Sequence, residues 1–333
     1  MIISKTPYRI SFFGGGSDYP SWYRKHGGQV LSATIDKYLY ISCRLLPPFF
    51  NHRFRIVYSK IEQAKKIEQI KHRVIKEALK FFEKKNFLKK IGLEIHYDGD
   101  LPSKSGMGSS SSFVVGFLNV LNSFFLKDIN KRTLAQESIF LEQNVLKETV
   151  GSQDQVAASY GGFNLITFEK KNIFKVQPVI TNQNILNNFS NNLVLVFTGI
   201  NRLANDITIN YVKNLVNKNK KDIFEVISHT KIALKLIKGN NYLDFGRLLN
   251  DTWRIKKSVS KFISNQKIDY IYDFALQNGA VGGKLLGAGG GGFFLFYVPR
   301  DKMKYFLKKL SHFITIPFKF ESDGSKIIFK SNN

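Results

Sequence analysis

Cysteine is all but missing from this chain. Cys43 is the only one among 333 residues, which excludes an intrachain disulfide and any metal site made of several thiolates. Long apolar runs are missing too. No stretch approaches the roughly 18 uninterrupted apolar residues that suggest a membrane-spanning helix, and the opening Met1–Lys5 lacks the apolar segment of a secretory signal. The expectation is a soluble, cytoplasmic protein with no membrane partner. Acidic residues are scarce, 25 Asp and Glu against 50 Lys and Arg, for a net charge of +25. That balance suits nucleic acid when the basic residues cluster. Here the lysine runs (Lys84-Lys85, Lys89-Lys90, Lys218–Lys221, Lys308-Lys309) are short and scattered. We read them as solvated helix faces, with no nucleic-acid partner. The positive field they create helps attract an anionic substrate.

What is present suffices for a substantial buried core. The chain is 43% hydrophobic, and its length fits two domains better than one core. Asn-rich Thr181–Asn192 reads as the linker, so we divide the chain into 1–185 and 186–333. Leu31, Ala33, Ile35, Leu39, Ile41, Cys43 and Leu45 share one parity, as in a half-buried strand. A charged helix is expected over Ile61–Asn86, a strand over Ile91–Tyr97 and a helix over Phe113–Phe125. Thr133 with Gln136, and Ser152 with Gln155, have capping-box spacing, so two helices should meet at Val150–Ser152. Strands are expected from Phe163 to Val179 and at Leu193–Phe197, then three or four helices to about Asn278. Strand Phe293–Val298, helix Asp301–Leu310 and strand Ile314–Phe320 complete an α+β or α/β pattern.

Four segments carry chemistry. Leu101-Pro-Ser-Lys-Ser-Gly-Met-Gly-Ser-Ser-Ser-Ser112 lies between an expected strand and an apolar helix. Gly106 and Gly108 allow close backbone approach. The serines sit where a first helical turn leaves N–H groups free for a phosphate. A flexible loop ending in a serine cap is the plainer reading, and the Gly-Lys-Ser/Thr ending of a Walker loop is lacking. Thr6–Tyr19 holds three glycines followed by Ser17 and Asp18; Asp18 suits neighbouring sugar hydroxyls, and Arg9 suits a transferring phosphoryl group. In Leu141–Gln155, Asp154 falls in a first helical turn, where the dipole favours its charge. It could serve a hydroxyl as base or merely complement the dipole. Gly282–Phe293 is glycine-rich, which signals either a tight turn or close approach to a ligand; Lys284 is its candidate anion contact.

In this order and at these spacings the four segments resemble the GHMP kinase family, over nearly the whole chain from Thr6 to Phe293. Pro7–Asp18, Gln153-Asp-Gln155, Thr198–Ala204 and Gly283–Gly292 look most like a branch that phosphorylates the anomeric C1 hydroxyl of a seven-carbon sugar phosphate. The resemblance implies an α+β fold of two domains, an N-terminal left-handed β-α-β ATP-binding domain and a C-terminal ferredoxin-like domain. It also implies ATP and Mg²⁺ as cofactors and a small sugar phosphate as substrate, bound by a monomer or homodimer. By that resemblance Pro102, Ser105, Gly106, Met107, Gly108, Ser109, Ser110 and Ser111 would hold ATP, and Ser110 and Glu142 would hold Mg²⁺. Asp154 would be the base and Arg9 would stabilise the transferring group. Gly15, Gly16, Ser17, Asp18, Arg202, Lys284, Gly289 and Gly290 would contact the sugar phosphate. Gly-Met-Gly stands where many relatives have Gly-Leu-Gly, a close apolar exchange. The Gly-Glu-His element of galactokinases has no counterpart here, which argues against galactose.

Overall fold

Alternating apolar residues do build a strand around residues 31–45, but a longer one than the alternation marks out. The computed structural model describes residues 1–83, 91–125, 129–171, 173–200 and 219–331. Strand β1 (Ile2–Phe13) pairs antiparallel with β2 (Gly28–Leu46) along most of its length. Helix α1 (Pro20–His26), which the sequence reading omitted, connects them. β2 is long enough to take two further partners on different stretches: β6 (Phe163–Phe168) pairs with Gly28–Ala33 and β5 (Gly92–Gly99) with Leu39–Leu46. Parallel β3 (Phe54–Val57), hairpin-paired β4 (Ile61–Ala64), β7 (Phe174–Ile180) and β12 (Lys326–Lys330) complete an eight-stranded sheet. β12 lies beside β1, with Ile2 opposite Lys330.

The expected helix over Ile61–Asn86 is corrected at its front half. Ile61–Ala64 pairs with β3, and the Glu62 carboxylate accepts the Lys71 and His72 N–H groups. These bonds hold the chain in a turn, so α2 runs only over Arg73–Glu83. The Thr133 cap is likewise corrected: Asn130 accepts the Thr133 N–H, and α4 spans Lys131–Phe140. Ser152 precedes α5 (Gln153–Tyr160) without capping it through its side chain. The Asn-rich linker contains helix α6 (Gln183–Ser190), because Asn182 accepts the Asn184 and Ile185 N–H groups. Its asparagines mark a helix start.

Apolar α3 (Ser109–Phe125) packs on β1 and β2, tied by Ser4 Oγ to the Gly116 carbonyl at 3.1 Å and Ser112 Oγ to the Pro7 carbonyl at 3.0 Å. A second sheet orders β11 (Thr315–Ile316), β8 (Leu193–Phe197), β10 (Phe293–Tyr297) and β9 (Gly282–Leu285). The expected strand Ile314–Phe320 shrinks to β11, with Phe320 bridging to Ile35 of the first sheet. Helices α8 (Tyr242–Val259), α9 (Gln266–Gln277) and α10 (Arg300–Lys309) accompany this sheet, while α7 (Lys220–Lys238) packs on α8 and on β1 and β2 of the first sheet.

Aromatic rings join the first sheet to helices α6 and α8. Phe189 of α6 meets Phe12, Phe163, Phe245 and Phe320 with centroids 5.0–6.3 Å apart. Phe189 is fully buried, and edge-to-face pairs add to area burial. Phe189→Ala should therefore cost about 3–5 kcal/mol, the usual range for a buried ring. The exposed-ring control Phe49→Ala should cost little, with urea unfolding followed by circular dichroism as the measurement.

Candidate active site

The loop before α3 owes its shape to contacts on both sides. Gly106 and Gly108 have φ of +85° and +76°. The Met107 side chain is buried in the core, and its carbonyl accepts the Arg9 N–H at 3.1 Å. On the other side lies the glycine-rich segment after β9. A Cβ on Gly106 would lie 2.6 Å from the Leu286 carbonyl oxygen, and one on Gly292 would lie 2.2 Å from that of Ser105. Phe293 N–H also donates to the Ser105 carbonyl at 3.2 Å. Glycine at these two positions lets the two loops meet backbone to backbone.

Beneath this seam, Arg9 forks onto Asp154. Its Nε donates to Oδ1 at 2.7 Å and Nη2 to Oδ2 at 2.5 Å, while Nη1 donates to the Gly106 carbonyl at 2.7 Å. A bidentate guanidinium–carboxylate pair fixes both planes. Asp18 is buried close by and accepts from Gly16 N–H at 3.0 Å and Gln153 N–H at 3.4 Å. Burial, aided by the charge of Asp154, pushes its carboxyl up to about 6. Lys284 of β9 is buried opposite, its ammonium donating to the Ser11 and Phe12 carbonyls at 3.0 and 2.7 Å. Burial, then the neighbouring Arg9 charge, pull it down to about 7.

These groups share one cavity of about 470 Å³. Arg9, Gly15, Gly16, Asp18, Gly106, Gly108, Ser109, Ser110, Ser111, Asp154 and Lys284 line it. Other residues singled out in the sequence lie off its wall. Pro102 is exposed, and Ser105 and Met107 are buried beneath the loop. Ser17 Oγ donates to the Gly14 carbonyl at 2.7 Å, inside a turn. Gly289 and Gly290 pack on Ile263. Arg202, with most of the Thr198–Ala204 stretch, lies outside the described residues. The sequence reading missed Arg73, Lys104, Lys147 and Lys256, which also line the cavity. Lys256 reaches the Leu285 and Gly287 carbonyls at 2.7 and 2.5 Å. No local motif announces a lone lysine on a helix; only the long-range fold brings it here.

Glu142 stands behind the wall, in a single π-helical turn (Leu141–Val145) that follows α4. Its carboxyl accepts from Ser111 Oγ at 2.8 and 3.1 Å and from the Gln155 amide. Among the described residues no Lys or Arg pairs with it. Burial pushes it up to about 8 in spite of those hydrogen bonds. A raised carboxyl pKa means that the folded state holds a proton that the unfolded chain releases near 4.5. Stability from this group is thus full at acid pH and lost as pH rises through about 8. Glu142→Gln should therefore melt above the wild type at pH 8.5 without divalent cations and match it near pH 5. A wild type that melts higher at pH 8.5 would contradict this.

Known proteins resemble this chain along nearly its whole length. Residues 73–162 match the model of the GHMP kinases N-terminal domain, and residues 233–311 that of the GHMP kinases C-terminal domain. A D-glycero-alpha-D-manno-heptose 7-phosphate kinase of Campylobacter jejuni is 31% identical over 326 residues, which cover 93% of each chain. A bifunctional fucokinase/GDP-fucose pyrophosphorylase of Arabidopsis thaliana is 26% identical over 87% of this chain and 29% of that protein. Among solved structures, a D-glycero-D-manno-heptose 1-phosphate kinase from Bacteroides thetaiotaomicron superposes with a TM-score of 0.79 at 25% identity, covering 100% of both chains. With both domain models matched in order and a relative of that identity along nearly its full length, the chain belongs to the GHMP kinase family.

Proposed function

We propose that this chain, an ATP-dependent sugar kinase of the GHMP family, moves the γ-phosphoryl of ATP to the anomeric C1 hydroxyl of D-glycero-D-manno-heptose 7-phosphate. The product would be the 1,7-bisphosphate, a precursor for GDP-heptose and surface polysaccharide. The observation that carries this reading is the Arg9–Asp154 fork, which sits at the Gly106–Ser110 loop in the cavity shared with Asp18 and Lys284.

Phosphoryl transfer asks the protein mainly for positioning and charge neutralisation. Backbone amides at the start of α3 and the hydroxyls of Ser109 and Ser110 would cradle the phosphates. Arg9 would neutralise charge that develops on the transferring group. Asp154 would receive the acceptor hydroxyl. With both of its oxygens already taken by Arg9, and an anomeric hydroxyl more acidic than an ordinary alcohol, it acts as much by orientation as by basicity. Asp18 would hold sugar hydroxyls, and Lys284 the distal phosphate. Ser110 and Glu142 would hold Mg²⁺. Hard oxygen donors and a buried carboxyl without a cationic partner suit that ion, which takes few protein ligands alongside phosphates. Bound there, it would neutralise phosphate charge.

The basic lining from Arg73, Lys104, Lys147 and Lys256 favours a phosphorylated acceptor over a neutral sugar such as L-fucose. Coupled assays of ADP release with heptose 7-phosphate, L-fucose and D-galactose should show fastest turnover with the heptose phosphate; faster turnover with L-fucose would overturn the reading. Asp154→Asn should lower kcat by roughly 10²–10⁴ with the fold intact, and near-normal turnover would remove it from this role. Lys284 loses its charge as pH rises through about 7, so kcat/KM for the phosphorylated acceptor should fall above that pH. Because arginine stays charged, the alkaline limb should move upward in Lys284→Arg.

A further inference from the structure

Ser11 and Gln153 stand in the wall of the catalytic cavity with no part assigned to them. Their main chains are pinned by the acceptor-side residues: the Ser11 carbonyl takes the Lys284 ammonium, and Gln153 N–H donates to Asp18. Both residues are more than nine-tenths buried, at 6% and 9% exposure. Yet Ser11 Oγ and Gln153 Oε1 are both buried without a hydrogen-bond partner among the described residues. Ser17, Ser111 and Ser112 nearby are satisfied, and the other orphaned atoms of the region, Ser105 Oγ and Gln155 Oε1, belong to residues that do not line the cavity. Leaving a buried polar atom unpaired is costly, and each such case calls for an explanation.

Gly15 separates these two groups. A Cβ built on it would lie 3.7 Å from Ser11 Oγ and 3.9 Å from Gln153 Nε2, ordinary contact distances. Nor does Gly15 have the positive φ of its neighbour Gly14, at +83°, where a Cβ would overlap the Gln29 carbonyl at 1.8 Å. Neither backbone nor packing demands glycine at position 15. What its missing side chain leaves is space between a hydroxyl and an amide.

We propose that Ser11 and Gln153 are specificity-determining residues, which take one hydroxyl of the acceptor sugar in the space over Gly15. The sugar hydroxyl donates to Ser11 Oγ and accepts from Gln153 Nε2, the amide atom that faces this space, so the orphaned Ser11 hydroxyl is satisfied only with the right sugar bound. This rests on the sugar-kinase reading above. A site built to pair with a hydroxyl rejects the analogue that lacks it, because its own polar groups then stay unpaired.

The test uses D-glycero-D-manno-heptose 7-phosphate and its 2-, 3- and 4-deoxy analogues. Wild type should prefer the parent over one of these by roughly 10–10²-fold in kcat/KM. Ser11→Ala and Gln153→Met should lose that preference at the same single position while keeping the others and the KM for ATP. Gly15→Ala, which fills the space, should raise the parent KM about tenfold or more at unchanged melting temperature. Discrimination that survives in both variants at every position would overturn the proposal, as would a loss spread equally over all positions. If wild type proves inactive on the heptose phosphate but active on L-fucose, the heptose reading falls. The subsite then stands or falls by the same criterion on deoxy forms of L-fucose.

Discussion

Arg9 is the point at which three distant stretches of chain are held to one geometry. Its guanidinium spends two donors on Asp154 at the head of α5 and a third on the Gly106 carbonyl, while its own N–H fixes Met107. A planar fork cannot swivel as a lysine ammonium can. The Gly106–Gly108 loop, the first strand and the helix that bears Asp154 therefore share one rigid reference. Removing either partner would leave a buried or half-buried charge without its counter-ion, the situation in which breaking a pair is most damaging. The glycine seam between the two loops then presses the second sheet's segment onto the same reference.

Around that fork the site holds three ionisable groups away from their ordinary states. Asp18 is drawn toward neutrality at about 6, Glu142 at about 8 and Lys284 at about 7. All three shifts have burial as their first cause, and each group loses charge because its surroundings lack enough counter-charge. Perturbed carboxyl and ammonium groups gathered around one cavity mark it as a candidate functional site. An anion near Lys284 or a cation near Glu142 would restore the charge that burial suppresses. Free energy stored in this way makes binding and protonation parts of one equilibrium.

Short-range patterns made much of this legible. The parity of Leu31–Cys43, the apolar run of α3 and the loop between strand and helix at 101–108 depend on neighbours in sequence, and they read correctly, except that Leu45, of the same parity, is exposed. Side-chain competition for the backbone did not. Glu62 and Asn182 redirect their segments by accepting main-chain N–H groups, which turned an expected helix partly into strand and an expected linker into helix. β9 was hidden because two of its four residues are glycines and its partner β10 lies beyond a turn. In the site, residue types were readable and pairings were not. Ser111 bonds to Glu142, and Gly289 and Gly290 pack on Ile263. Those choices follow from helix phase and loop packing, which no local spacing encodes.

The pairing of β12 with β1 has a consequence for how the molecule is made. The strand that carries Arg9 is synthesised long before the outer partner of its opening residues, Lys326–Lys330. During translation the Ile2–Lys5 edge stays open, presenting unpaired N–H and C=O groups of the kind that invite wrong strand pairing. Closing it requires contact between opposite ends of the chain, the slowest class of contact to form. β1 thus gains its outer neighbour only after Lys326–Lys330 have been made, so sealing of the first sheet waits on the last of its strands to be synthesised.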